Sequence, residues 1–129
     1  MEPKRNIEKQ RELEVRLKNY ALKVLKLVDA LPKTQGNKIY GTQVIRSSSS
    51  VGANYAEATC AHTKLDFLHG MNISRKEARE SVYWLELLQS SNPAYNNLIS
   101  PILDERQQIF KIFMSSVKTA KENNIINNK

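Results

Sequence analysis

Between Ile45 and Leu88 the chain reads IRSSSSVGANYAEATCAHTKLDFLHGMNISRKEARESVYWLELL. Its first half is a run of small residues at helical spacing: Ser47 to Ser50, Gly52, Ala53, Ala56, Ala58 and Ala61. Small side chains on a helix let a neighbouring backbone approach closely. Asn54 and Glu57 stand among them, and polar groups of that kind are costly to bury unless each meets a partner. The stretch therefore predicts a tight helical assembly with a few specified polar contacts. By itself it points to no chemistry.

The rest of the chain extends this reading to four helices. Leu13, Leu17, Tyr20, Val24, Leu27 and Leu31 recur in steps of four and three, the stripe of a helix over about 7–31. Pro32 ends it, because proline disfavours helical geometry in the residue before it. A second helix is predicted over about 38–61, with Tyr40, Val44, Ser48, Val51, Tyr55 and Ala58 inward. Four serines and a glycine are poor helix formers, so this helix must depend on packing, and a flexible linker at Ser47 to Ser50 is the competing reading. A third is predicted over about 64–89, with Thr63 as N-cap and Asp66 near capping-box spacing. Its main stripe is Phe67, Met71, Ser74, Ala78, Ser81, Leu85 and Leu88. Ile73, Glu77, Glu80, Trp84 and Leu87 form a second stripe, which suits an interface between subunits. Gly70 should weaken this helix locally.

The fourth helix is predicted over about 98–123, with Pro101 in its first turn. Ile102, Ile109, Phe113 and Ala120 face inward, flanked by Leu103, Phe110 and Val117. Asn124 to Lys129 is expected to fray. Short connections imply antiparallel neighbours. The expected fold is thus all-α: an antiparallel up-down four-helix bundle forming a single domain over residues 1–129.

Composition limits the function classes. The single cysteine, Cys60, excludes an internal disulfide framework and fits a reducing compartment. No apolar run approaches the roughly 20 residues of a membrane span. The charged N-terminus lacks the apolar centre of a secretory signal. A cytoplasmic, soluble protein without membrane contact is expected. The net charge is +7. The first 36 residues hold nine Lys/Arg against five Asp/Glu, and the last 38 hold five against three. A basic surface attracts phosphate. Here the excess is spread over two helices rather than gathered into a dense patch, so the expected binding is weak, salt-sensitive or absent.

Signals for catalysis are missing. Neither His62 nor His69 follows a glutamate by three residues, as di-metal bundles require, so both are expected as surface or interface residues and no metal or cofactor is expected. Cys60 and His62 would point in different directions on a helix, and the flanking alanines suggest that Cys60 is a small packed residue. No nucleophile elbow, phosphate-binding glycine loop or dinucleotide fingerprint is present. Small helical RNases carry an Arg four to six residues ahead of a His, a spacing that neither histidine here shows. Glu57, Glu77 and Glu80 are expected to pair with Arg46, Arg75, Lys76 or Arg79, or to join a network with Asn54, and to specify register and assembly. The chain is not expected to be an enzyme.

Val51-Gly52-Ala53-Asn54-Tyr55-Ala56-Glu57-Ala58, then Asp66-Phe67, then Lys76-Glu77-Ala78, Glu80 and Trp84-Leu85 occur in fixed order. This series, with Arg46-Ser47-Ser48 and Ala30-Leu31-Pro32 before it, resembles the four-helix bundle proteins encoded within intervening sequences of bacterial 23S ribosomal RNA genes. That family is similar to the accessory protein of diversity-generating retroelements, a basic helical barrel of five subunits that binds nucleic acid and a reverse transcriptase. The resemblance implies a ring-like homopentamer of antiparallel bundles. It implies no enzymatic activity.

Two functions remain in view. One is a nucleic-acid-binding oligomer that meets RNA or DNA phosphates through Arg11, Lys18, Lys111, Lys118 and Lys121. The other is a scaffold that recruits a protein partner through the second stripe of the third helix. In either, Asn54, Glu57, Glu77, Glu80 and Trp84 are the residues expected to fix fold and assembly.

Overall fold

The first helix, α1 (Glu2–Ala30), buries its whole predicted stripe: Leu13, Leu17, Tyr20, Val24 and Leu27 are all inside, and Leu31 is buried just beyond its end. The computed structural model describes residues 2–127, with side chains described for residues 7–122. Three further helices follow, α2 (Gln35–Thr59), α3 (Lys64–Ser91) and α4 (Asn96–Asn127), with one 3-10 turn, Pro93–Tyr95, before the last. Among the described residues there is no strand, and no helix is long and apolar enough to cross a membrane. The helices pack as a four-helix bundle around a single core.

Helix α2 begins three residues earlier than the spacing predicted. Thr34 is extended, and its side chain accepts a hydrogen bond from the Asn37 amide at 3.1 Å. That satisfies one of the free amides of the first turn. The same device starts α3, where Thr63 Oγ1 accepts from the Asp66 amide at 3.0 Å, as expected. Helix α2 also ends two residues early, at Thr59, with Cys60 as its C-cap. Cys60 is exposed there, so the packed role expected from its flanking alanines does not hold.

The serine run is helix, not linker. Ser47 Oγ donates to the Gln43 carbonyl at 3.0 Å and Ser50 Oγ to the Arg46 carbonyl at 2.9 Å. Hydroxyls bonded one turn back are self-sufficient, so Ser47 and Ser48 can be fully buried. Their small size brings α2 and α3 close together. Ser74 Oγ donates across the seam to the Val51 carbonyl at 2.6 Å. A Cβ at Gly70 would lie 2.7 Å from Ala58 Cβ and 3.1 Å from its Cα. Gly70 therefore does more than weaken α3: it allows the approach. Gly41 does the same for α1, where a Cβ would meet Val28 Cγ1 at 2.7 Å.

The remaining contacts close the bundle. Tyr20 of α1 reaches Ser81 of α3, their oxygens 2.6 Å apart in the core. Ser81 Oγ also donates to the Ala78 carbonyl at 2.6 Å, which leaves Tyr20 as the donor to Ser81. Arg16 of α1 grips Glu105 of α4 through Nε at 2.8 Å and Nη2 at 3.0 Å.

Helix α4 corrects the prediction in two places. It starts at Asn96, so Pro101 falls in the second turn and not the first. Pro101 is exposed, on the solvent side where one lost backbone bond is tolerated. Ile99, which the predicted inward face omitted, is in the core beside Ile102, Ile109 and Phe113, while Ala120 is only half-buried. The tail expected to fray from Asn124 is helical through Asn127, and Asn128 and Lys129 lie outside the described residues.

Candidate functional site

Three groups of polar residues occupy the bundle's surface. The first is the set proposed for phosphate contact. Arg11 and Lys18 on α1 and Lys111 and Lys118 on α4 are each seven residues apart, two turns along one face. All four are exposed, as is Lys121. The three ion pairs among the described residues use Arg16 and Arg46 instead, so these five cations face solvent without a carboxylate in contact. Arg16 differs because it lies on the α4 side of α1. There it holds the Glu105 carboxyl below the usual carboxylate range, chiefly through its hydrogen bonds, and it also donates to Gln108 at 2.7 Å.

The second group gathers three of the five residues expected to specify assembly. Arg46 of α2 donates to Glu80 and, at 3.4 Å, to both oxygens of Glu77 on α3. Gln43 Oε1 accepts from Arg46 Nε at 3.2 Å. Trp84 Nε1 donates to Glu80 at 2.9 Å, and its ring lies 6.0 Å from Tyr40 of α2 and 5.1 Å from Tyr83. Of the four cations that could have paired with these glutamates, the fold selects Arg46. Much of the second stripe of α3 is thus occupied by α2 of the same chain: Trp84 and Leu87 are only partly open, while Ile73 is exposed. The other two expected members stand apart. Asn54 Nδ2 donates to the Ser50 carbonyl of its own helix at 2.8 Å, and Glu57 is exposed, with no ion pair among the described residues.

The third group went unrecognised in the sequence. Arg75 and Arg79 lie one turn apart on α3, beside α4. Arg75 Nη1 sits 3.8 Å from Met114 Sδ, and the Arg106 guanidinium lies 5.6 Å from the centroid of Phe110. Burial lowers the Arg106 pKa and the Arg79 charge adds to this, against smaller opposing effects of Tyr20 and then Glu86. Among the described residues none of the three arginines has an ion pair. The signal in the sequence was the like-charged Arg75–Arg79 pair at i,i+4, which an isolated helix disfavours.

The bundle also carries an apolar groove of about 450 Å³ between α1 and α2, floored by Ala21, Gly52, Ala53 and Ala56 and flanked by Leu22. Val15, Leu22 and Leu25 of α1 are exposed. Among the described residues no group of His, Cys, Asp and Glu could hold a metal ion. His62 and His69 are both exposed.

Comparison with known proteins gives the chain its relatives. The family described as 23S rRNA-intervening sequence protein matches residues 11–115. A solved structure from Bacteroides thetaiotaomicron, a protein of unknown function from the S23 ribosomal protein family, is similar in fold and sequence. It shows 31% identity and a TM-score of 0.75, over 82% of this chain and 98% of that one. No curated protein matches the chain. Matched over most of its length and sharing its fold with that relative, the chain belongs to the 23S rRNA-intervening sequence protein family.

Proposed function

We propose that the chain is a non-enzymatic, cytoplasmic protein of antiparallel up-down bundles that assembles into a ring-like homopentamer and binds RNA or DNA through basic helix surfaces. The observation that carries the binding reading is the set of five exposed cations without an ion pair among the described residues, on a chain of net charge +7. Cations left free of carboxylates are available to phosphate, and they position a polyanion without reading its sequence. The antiparallel reading is supported by contacts that run in opposite order along neighbouring helices. Val28 meets the site of Gly41 and Leu17 that of Gly52, while Ala58 meets that of Gly70.

Binding to a structured RNA and to a duplex DNA, at about 50 mM and about 200 mM salt, tests this function. Five phosphate contacts predict an affinity loss of several hundred-fold over that range, from a slope of about −0.9 per contact. Absence of binding at the lower salt overturns the reading. Light scattering tests assembly separately, and a stable monomer at micromolar concentration rules the pentamer out.

A second reading is a scaffold for a protein partner, such as a reverse transcriptase, with the charge incidental. Exposed Val15, Leu22 and Leu25 beside the α1–α2 groove favour it over the α3 stripe proposed from sequence. Co-purification of a protein that survives RNase and DNase treatment, without any direct nucleic-acid binding, would select it.

A further inference from the structure

The seam between α3 and α4 holds Arg75, Arg79 and Arg106 on the side of the bundle away from α2. We propose that this arginine seam is a binding site for backbone phosphates of a nucleic acid, in addition to the exposed cations of α1 and α4. The inference deepens the nucleic-acid reading above and rests on it.

Four observations converge. Arg106 is drawn partly out of water, and its Nε is buried with no hydrogen-bond partner among the described residues. A charged donor in that position lacks the acceptor that would offset its desolvation. Arg106 lies over the Phe110 ring and Arg75 against the Met114 sulfur, so both guanidiniums rest on aromatic or polarisable surfaces and not on carboxylates. A guanidinium carries five N–H donors in a fixed fork, so one contact to a ring or a sulfur leaves others for oxygen. Arg79 adds a like charge felt at Arg106, which is unfavourable until an anion is present. Glu86 is the one carboxylate whose field raises the Arg106 pKa, and it forms no ion pair with any of the three.

Phosphodiester oxygens fit these requirements. They are anionic, they accept two N–H bonds from one guanidinium, and they recur along a strand. Arg75 and Arg79 are separated by about 6 Å of helix rise, so one strand can meet both.

Fluorescence anisotropy with a labelled RNA hairpin and a labelled DNA duplex tests the seam in the full chain. Three proteins are compared: the unmodified chain, Arg75→Gln with Arg79→Gln, and Lys33→Gln with Lys38→Gln, two exposed lysines outside both proposed sites, as a control of equal charge loss. The seam pair is expected to weaken binding at least tenfold for one of the two probes and to reduce the salt slope by about 2. The control pair is expected to weaken it less than threefold. Arg106→Lys keeps the charge but removes the planar fork, and it should also lose affinity if it folds, which circular dichroism reports.

Equal losses in the two pairs overturn the seam, as does an unaltered affinity in Arg75→Gln with Arg79→Gln. Either result leaves the nucleic-acid reading standing. An unmodified chain that binds neither probe at low salt overturns both, and binding to anionic vesicles in their place would assign the arginines to a membrane surface.

Discussion

Asn37 and Asn92 exchange side-chain hydrogen bonds in both directions, Asn37 Nδ2 to Asn92 Oδ1 at 2.9 Å and Asn92 Nδ2 to Asn37 Oδ1 at 2.8 Å. Asn37 Nδ2 also donates to the Pro32 carbonyl at 3.0 Å, and Asn92 Nδ2 to the Leu88 carbonyl at 2.9 Å. One buried pair thus ties the α1–α2 connection and the start of α2 to the end of α3.

Truncating either asparagine strands the other. Asn37→Ala and Asn92→Ala should each cost about 1–3 kcal/mol, the penalty for leaving a buried polar group unpaired. The double variant should cost less than the sum, with a coupling of about 0.5–3 kcal/mol. Urea denaturation followed by circular dichroism measures all three. Costs that simply add would show that the two side chains act independently.

At Gly70, helix propensity and packing oppose each other. Alanine would gain up to about 1 kcal/mol of propensity. Its methyl group would meet Ala58 at both Cβ and Cα, and a backbone carbon cannot rotate away. Overpacking of this kind costs about 1–3 kcal/mol, so Gly70→Ala should be destabilising on balance. A raised thermal midpoint would show that α3 can move outward freely.

These two sites mark the limit of what the sequence revealed. The apolar stripes of α1, α2 and α3 were readable because helical periodicity alone decides which side is buried, and nearly every predicted inward residue is inside. The Thr63 cap was equally local. Asn37 and Asn92 were not legible, since their partnership depends on the start of α2 meeting the end of α3, 55 residues apart. Ile99 was legible but left out of the predicted face: it lies inside the predicted helix, three residues before Ile102 on the same stripe. For the glutamates the residue types were readable but not the choice among four cations, which depends on how α2 and α3 are rotated against each other. The arginine seam was obscured for the same reason: Arg75 and Arg79 read as available ion-pair partners until Arg46 was seen to take that role.

Trp84, the single tryptophan, reports on the Arg46 cluster directly. Arg46→Ala removes the partner of Glu77 and Glu80 and frees the carboxylate that accepts the indole N–H. Its stability cost should be modest, about 0.5–1 kcal/mol, because Arg46 is half-exposed. The clearer signal should be a shift in Trp84 emission in the folded state. An unchanged spectrum would mean that Tyr40 packing alone positions the ring.

Stability should fall in acid through Glu105. Its folded pKa is depressed by the Arg16 hydrogen bonds, so its contribution is present above the unfolded value of about 4.3 and is lost as pH falls through the lower folded value. Glu105→Gln should cost about 0.5–1 kcal/mol near neutrality, since Arg16 is about a third exposed. That gap should close in the acid range. A difference between the two proteins that stays constant from about pH 6 to about pH 3 would show that the loss is packing and not charge.

Tyr20 gives the opposite sign at the alkaline end. Burial pushes its phenol up to about 12, against a smaller lowering by Ser81. An acid whose folded pKa is raised contributes stability that is fully present below its unfolded value, about 10, and is lost as pH rises towards the folded one. Tyr20→Phe should cost about 1 kcal/mol at neutral pH, because the hydroxyl bond to Ser81 is lost while Ser81 keeps its own bond to Ala78. Tyr55, raised to about 12 by burial, titrates in both proteins and cancels in the comparison. The Phe variant should therefore lose less stability than the unmodified chain between about pH 10 and about pH 12, and the two denaturation curves should converge. Parallel decline over that range would place the alkaline sensitivity in other groups and leave Tyr20 as a packing residue alone.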